Sequence, residues 1–260
     1  MSPHPIPTLI YEIIQSIRAR NPERPALVGV GGAQGSGKSY HCRLLALAHQ
    51  PRIAHFSLDD VYLTRAERER LAREAHPLFI TRGPPGTHDI PLAIDTISKL
   101  QRGEPARLPR FDKTCDDRAP VDAWPEARAP VGAILVDGWC MGATPMPDGP
   151  PINAVEREDK DGVWRRTMLN ALEQQYAPFF TRFDATIYLR APSWEIVRLW
   201  RGQQEEQMLG RPLTADENAA LDRFVMHYER ITRAMLAGCH MAKWIVHLDE
   251  ARNVVRVEGR

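Results

Sequence analysis

Leu9, Ile10, Ile13, Ile14 and Ile17 recur at the spacing of one helical face, and Asn21-Pro22 closes the run. The period then changes. Residues 26–30 are a short, continuously apolar stretch, and similar stretches return at 53–58, 131–136, 185–189 and 243–248. Continuous rather than alternating apolar runs fit strands covered on both faces. Between them lie amphipathic or charged segments of helical period at 40–48, 64–74, 92–100, 163–180, 193–209 and 215–236. The segment 64–74 is so charged that an exposed helix is expected. Residues 82–89 and 143–153 are turn-rich loops, and 105–130 is punctuated by proline. A short hairpin around Asn253 would end the chain. No repeat is visible. Strands alternating with helices predict a mostly parallel central sheet with helices on both faces.

In such a sheet, ligands sit beyond the C-terminal strand ends. The polar residues that follow three of the apolar runs are Lys38 and Ser39, Asp59 and Asp60, and Asp137. The first pair closes Gly32-Ala33-Gln34-Gly35-Ser36-Gly37-Lys38-Ser39, a complete G-x-x-x-x-G-K-[ST] phosphate loop, with Tyr40 opening the helix behind it. Glycine lets successive N–H groups converge on a polyphosphate, and the helix N-terminus adds its positive dipole end. Lys38 would reach the β- and γ-phosphates, and the Ser39 hydroxyl would meet Mg²⁺. The strand–loop–helix setting is the one this motif requires.

Composition narrows the reading. The 260 residues allow one large α/β domain or two small ones, with 34 basic and 33 acidic residues and a net charge of +1. No global field advertises nucleic acid or an anionic membrane. No run of apolar residues is long enough to span a bilayer, and the first residues lack a signal-peptide pattern, so a cytoplasmic protein is expected. Cys42, Cys115, Cys140 and Cys239 form no C-x-x-C pair, and the nine histidines include no H-E-x-x-H. Neither a zinc motif nor a disulfide framework is suggested.

Phosphoryl transfer needs positioning and charge neutralisation more than covalent chemistry. Asp59 or Asp60 can orient or deprotonate an acceptor hydroxyl, or can cap the helix starting near Thr64; beside a phosphate loop the first role is favoured. Asp137 is the natural metal-side carboxylate, directly or through water, or else the Asp of an ordinary Asp-Gly turn. Arg198, Arg201 and Arg211 can close over the nucleotide as a helical lid at about 198–212, or simply line a solvated helix face.

Five segments following the phosphate loop, SLDDVYLT, RGPPGTHD, LPRFDK, ILVDGWCMG and INAVEREDKDGVWRR, carry a specific likeness, continued by LWRGQQEEQM and RFVMHYERITR. Over about residues 25–250 the chain resembles the D-glycerate 3-kinases of plant and fungal type, in the phosphoribulokinase/uridine kinase/pantothenate kinase group. The resemblance implies a P-loop NTPase three-layer sandwich spanning 25–260, preceded by an N-terminal helix within 1–24. It implies an ATP-dependent, Mg²⁺-assisted kinase that phosphorylates D-glycerate to 3-phosphoglycerate, with a small-molecule substrate and no nucleic acid or membrane partner. It places Asp59 as the acceptor-activating aspartate, with Asp60 beside it. It places Arg82, Thr87, His88 and Asp89 on the acceptor loop, and Arg110, Asp112 and Lys113 on a second substrate-facing segment. Arg110 or Arg82 would hold the glycerate carboxylate, or would pair structurally with Asp112 or Asp89. Two departures stand out: an aspartate at 137 where the group often has glutamate, and a longer connection, ATPMPDGPP, after Gly142. A nucleoside or pantothenate-like acceptor is the alternative substrate. A nucleotide-dependent switch is the alternative class, although the N-K-x-D motif and the cysteine cluster of such proteins are both missing.

Overall fold

Seven consecutive buried residues, Ala26–Gly32, form the strand on which the rest is built. The computed structural model describes residues 6–50 and 52–259. In chain order the elements begin with α1 (Ile6–Arg20), β1 (Ala26–Gly32), α2 (Lys38–Ala48), β2 (Ile53–Ser57), α3 (Arg65–Glu74) and α4 (Ile90–Gln101). Short strands β3 (Ala106–Arg107), β4 (Phe111–Asp112), β5 (Asp117–Arg118) and β6 (Glu126–Ala127) precede β7 (Ala133–Gly138). Then follow α5 (Ala154–Glu158), α6 (Val163–Ala171), α7 (Ala177–Phe180), β8 (Ala185–Arg190), α8 (Trp194–Leu209), α9 (Ala215–Leu236), β9 (Trp244–Leu248) and β10 (Val254–Gly259).

The main sheet runs β10-β9-β8-β1-β7-β2, parallel throughout except for β10, which returns antiparallel along β9. Successive residues of β1 point into opposite cores. Leu27 joins Phe56, Ile134 and Val136 under α4, α6 and α9. Val28 and Val30 join Leu135 and Ile187 under α1, α2 and α8. Helix–sheet–helix layering follows directly from that alternation. The isoleucines of α1 belong to the second core, so this helix is part of the layer and not an appendage. Residues 1–5 of the predicted N-terminal segment lie outside the described residues.

Three regions differ from the pattern read in sequence. Residues 163–180 are helical throughout, but Leu172–Tyr176 is a π turn that drives the Tyr176 side chain into the core. The stretch 105–130 folds into two short ribbons, β3 with β6 and β4 with β5. On the charged helix α3, Arg68 is almost fully buried, donating to the carbonyls of Ile80 and Asp116.

Candidate active site

Register brings the strand ends together: Val30 of β1 pairs with Asp137 of β7, which pairs with Ser57 of β2. The phosphate loop leaves β1 there. Gly35 and Gly37 take positive φ, 75° and 85°. A Cβ on Gly35 would stand 2.6 Å from that of Trp200. The loop is therefore compatible only with glycine at this point, on both backbone and packing grounds. Gly32, Ala33 and Ser36 are buried, and Gln34, Lys38 and Ser39 are half-buried at the cradle. Tyr40 points outward, 63% exposed. Arg252, at the turn between β9 and β10, donates to the Gly35 carbonyl at 2.7 Å and stacks on Trp200. This buttress was not read from sequence, because nothing local ties residue 252 to residue 35.

Asp137 is fully buried and its two oxygens face different neighbours. Oδ1 accepts from Ser39 Oγ at 2.6 Å and from Ser57 Oγ at 3.1 Å. Oδ2 meets His55 Nε2 at 2.7 Å. Burial pushes the carboxyl up, but the His55 bond and charge, Lys38 and the Ser39 bond outweigh it and hold it ionised, below its usual range. A hydroxyl and a carboxylate oxygen side by side at a phosphate loop are the hard donors that suit Mg²⁺.

Asp59 lies on the 3₁₀ turn Leu58–Val61 that follows β2. Its Oδ1 accepts from Tyr62 Oη at 2.8 Å and its Oδ2 from Lys113 Nζ at 2.7 Å. Burial acts to raise this carboxyl, but Lys113 and Lys38 outweigh it and hold the group well below the carboxylate range. Asp60 is turned the other way. It closes a capping box on the Ser57 N–H at 2.9 Å and pairs with Arg110 at 3.2 Å. Burial, with the nearby Asp137 and Asp59 charges, raises it despite those partners. The structure thus separates the two adjacent aspartates: Asp59 presents its carboxylate beside Lys113 and Tyr62, while Asp60 braces the turn.

The loop 82–89 is folded on itself. Buried Thr87 accepts from the Gly83 N–H and donates to the Pro84 carbonyl. Asp89 caps α4 at the Leu92 N–H and pairs with Arg118 at 3.2 Å. Asp112 is spent on the hairpin turn, accepting from Thr114. The polar atoms of these three expected substrate residues hydrogen-bond or pair within the protein. Arg82 lies on the Phe111 side of the site. It pairs with Asp116 and lies 5.6 Å from the centre of the Phe111 ring, which meets the Tyr62 ring edge-on. Neither expected ion pair, Arg110 with Asp112 or Arg82 with Asp89, forms; the partners are Asp60 and Asp116.

His88 is buried, its Nδ1 2.6 Å from Tyr176 Oη, which also accepts the Gly86 N–H. In the tautomer in which the phenol donates its proton to Nδ1, Nε2 carries the ring proton. That atom has no partner among the described residues, and burial lowers the ring to about 4. Tyr62, Asp116, Phe111, Tyr176 and Tyr228 were not singled out in sequence. Tyr62 was legible, three residues after Asp59; the others arrive from distant segments.

Arg198 pairs with Asp222 and Asn218 of α9, and Arg201 with Glu205 while lying over Phe224. Arg211 is held by Glu217 at the start of α9. All three are engaged within the α8–α9 pair. The long connection after Gly142 is tied down by Arg165 on Asp148 and Arg230 on the Pro150 carbonyl.

No family model matches the chain. Among solved structures, the D-glycerate 3-kinase of Cryptococcus neoformans superposes with a TM-score of 0.78 at 23% identity, covering 99% of this chain and 100% of that one. The YGR205w protein superposes with a TM-score of 0.74 at 23% identity, over 98% and 96%. Fold and phosphate loop together define a P-loop nucleotide-binding protein. In sequence the chain is 30% identical over 219 residues to the uncharacterized kinase mug58 of Schizosaccharomyces pombe, covering 79% of each. It is 28% identical over 226 residues to the chloroplastic D-glycerate 3-kinase of Arabidopsis thaliana, 82% of this chain but 48% of that protein, about half its length. The chain therefore belongs to the same kinase family as mug58, and it is similar to the D-glycerate 3-kinases.

Proposed function

We propose that the chain transfers the γ-phosphoryl group of ATP to the terminal hydroxyl of D-glycerate, giving 3-phosphoglycerate. The observation that carries this reading is Asp59, an ionised carboxylate at the strand end beside the phosphate loop, under the influence of Lys38 and Lys113. Two relatives named as D-glycerate 3-kinases support the acceptor. The amides of 32–37 and Lys38 hold the β- and γ-phosphates. Ser39 and Asp137 would hold Mg²⁺, which would supply charge neutralisation when bound. Asp59 orients the acceptor hydroxyl and receives its proton as the new O–P bond forms and the bond to the ADP oxygen breaks. A carboxylate held this acidic is a weak base. That suits a loose transition state, in which the hydroxyl proton is lost late.

Arg82 and Arg110 take the glycerate carboxylate, each exchanging or sharing its present aspartate partner. His88, whose Nε2 has no partner among the described residues, offers that atom to the acceptor from within the same loop. Thr87, Asp89 and Asp112 keep these groups in place, and Asp60 fixes the turn that presents Asp59. Arg198 and Arg201 contribute to nucleotide closure once α8 and the turn at 210–212 move as a lid. Residues 25–260, with α1 packed into their second core, then act as one kinase domain. No helix among the described residues is long and apolar enough to cross a membrane, and we infer a cytoplasmic enzyme acting on a dissolved metabolite.

ADP release tests the assignment directly, with D-glycerate, L-glycerate, uridine and pantothenate offered in parallel. The reading requires the largest kcat/KM with D-glycerate. Turnover of a nucleoside or pantothenate without turnover of glycerate would overturn it.

A further inference from the structure

The sequence holds no zinc motif, yet the fold assembles a set of soft and borderline ligands under the phosphate loop. Cys42 of α2, His55 of β2 and Asp137 of β7 bring a thiol sulfur, a ring nitrogen and a carboxylate oxygen within 4.8 Å of one another. Cys42 and Asp137 have no exposed surface. Asp137 faces two ways: Oδ1 toward Ser39 and the phosphate side, Oδ2 toward His55. His55 is reached from outside by an open pocket of about 520 Å³ between α2 and the 106–128 segment.

We propose that Cys42, His55 and Asp137 form a binding site for a thiophilic divalent cation of the zinc class, which inhibits the enzyme by taking Asp137 from Mg²⁺. Sulfur, imidazole and carboxylate together select Zn²⁺ or Cd²⁺ over Mg²⁺, which demands oxygen donors. Three protein ligands leave a fourth tetrahedral position for water or the Ser39 hydroxyl. The exchange balances simply. The Cys42 thiol gives its proton to solvent as the metal–sulfur bond forms. The His55 ring proton moves from Nε2 to Nδ1, so that Nε2 offers its lone pair in place of its bond to Asp137. Occupation engages the Asp137 carboxylate through Oδ2, neutralises its charge and so weakens the Mg²⁺ position without touching the phosphate loop. Arg43, Arg110 and Arg128 line the pocket walls. That positive rim slows the approach of a free cation, while the ligand set fixes the equilibrium.

The test reads binding apart from catalysis, so its outcome does not depend on which acceptor the enzyme uses. The full chain is titrated with Co²⁺ in the absence of nucleotide. The expected result is a near-ultraviolet thiolate-to-cobalt absorption that saturates at one metal per chain and is displaced by Zn²⁺. The band is lost in Cys42→Ala and kept in Cys115→Ser, whose thiol lies on the surface beside Asp112. His55→Gln, a second variant in case Cys42→Ala does not fold, weakens Co²⁺ binding by roughly tenfold or more. In the kinase assay Cys42→Ala tolerates at least about tenfold more Zn²⁺ than wild type before losing half its activity. The absence of a thiolate band in the wild type overturns the proposal. So does a band that survives in Cys42→Ala, or one that His55→Gln leaves at full strength.

Discussion

The two halves of the cleft are built on different principles. The donor half is eight consecutive residues whose work is done by backbone, fixed by positive-φ glycines and packed so closely on Trp200 that a single Cβ would not fit at Gly35. The acceptor half is drawn from separate segments and held by ion pairs: Asp59 with Lys113, Asp60 with Arg110, Arg82 with Asp116, Asp89 with Arg118. A backbone cradle has one ligand, a polyphosphate, and needs no rearrangement to accept it. A set of paired charges can trade partners, so a carboxylate substrate can enter by replacing an aspartate. The donor half is therefore preorganised and generic, and the acceptor half adjustable and selective.

The sharpest way to break this division is Asp59→Asn. Turnover should fall by roughly 10²–10⁴, the usual worth of a positioned acid–base group, with ATP affinity unchanged by calorimetry. Equal losses of both would mean that Asp59 belongs to the donor half. Next in size, Arg82→Gln should raise the KM for glycerate by about 10–100-fold, the scale of one charged hydrogen-bonded contact, and leave the KM for ATP alone. A matched rise in the ATP KM would merge the two halves.

Gly83→Ala probes the scaffold instead of the contacts. Gly83 sits at φ 115°, and a Cβ there would lie 2.0 Å from the Tyr228 hydroxyl, which holds the Arg82 carbonyl. The variant should lose on the order of 1–3 kcal/mol of stability by denaturant unfolding, with the acceptor KM suffering more than the ATP KM. An unchanged midpoint would show that this loop is looser than the structure indicates.

Acidity gives a smaller effect. The Asp59 and Asp137 carboxyls lie below their unfolded values, so their contribution to stability is complete above about pH 3.9 and fades as pH falls toward the folded values. Removing the cation in Lys113→Met disfavours the Asp59 anion and raises its pKa. The acid limb of kcat/KM should then move to higher pH, and an unmoved limb would detach Lys113 from Asp59.

The same contrast explains what could be read from sequence. Buried parallel strands are continuous apolar runs, so β1, β2, β7, β8 and β9 were visible, and the phosphate loop is a contiguous motif. Even the meeting of Ser39 with Asp137, 98 residues apart, follows once both are placed at strand ends. The ribbons within 105–130 were not visible, because strands of two residues carry no period. The π turn that aims Tyr176 at His88 leaves no mark in an otherwise helical pattern. Partner choice among the arginines was equally hidden: Arg82 had aspartates nearer in sequence, yet Asp116 is the one the β4–β5 turn delivers to it. His55 looked like one more position in a strand until β7 placed Asp137 beside it.

The central claim is that these halves together phosphorylate the terminal hydroxyl of D-glycerate, and ³¹P NMR of the product tests it most directly. A phosphate ester on the terminal CH₂ couples to two protons and gives a triplet, and the account predicts that triplet with stoichiometric ADP. A doublet, from an ester on the central CH, or ADP release with no glycerate ester, would contradict it.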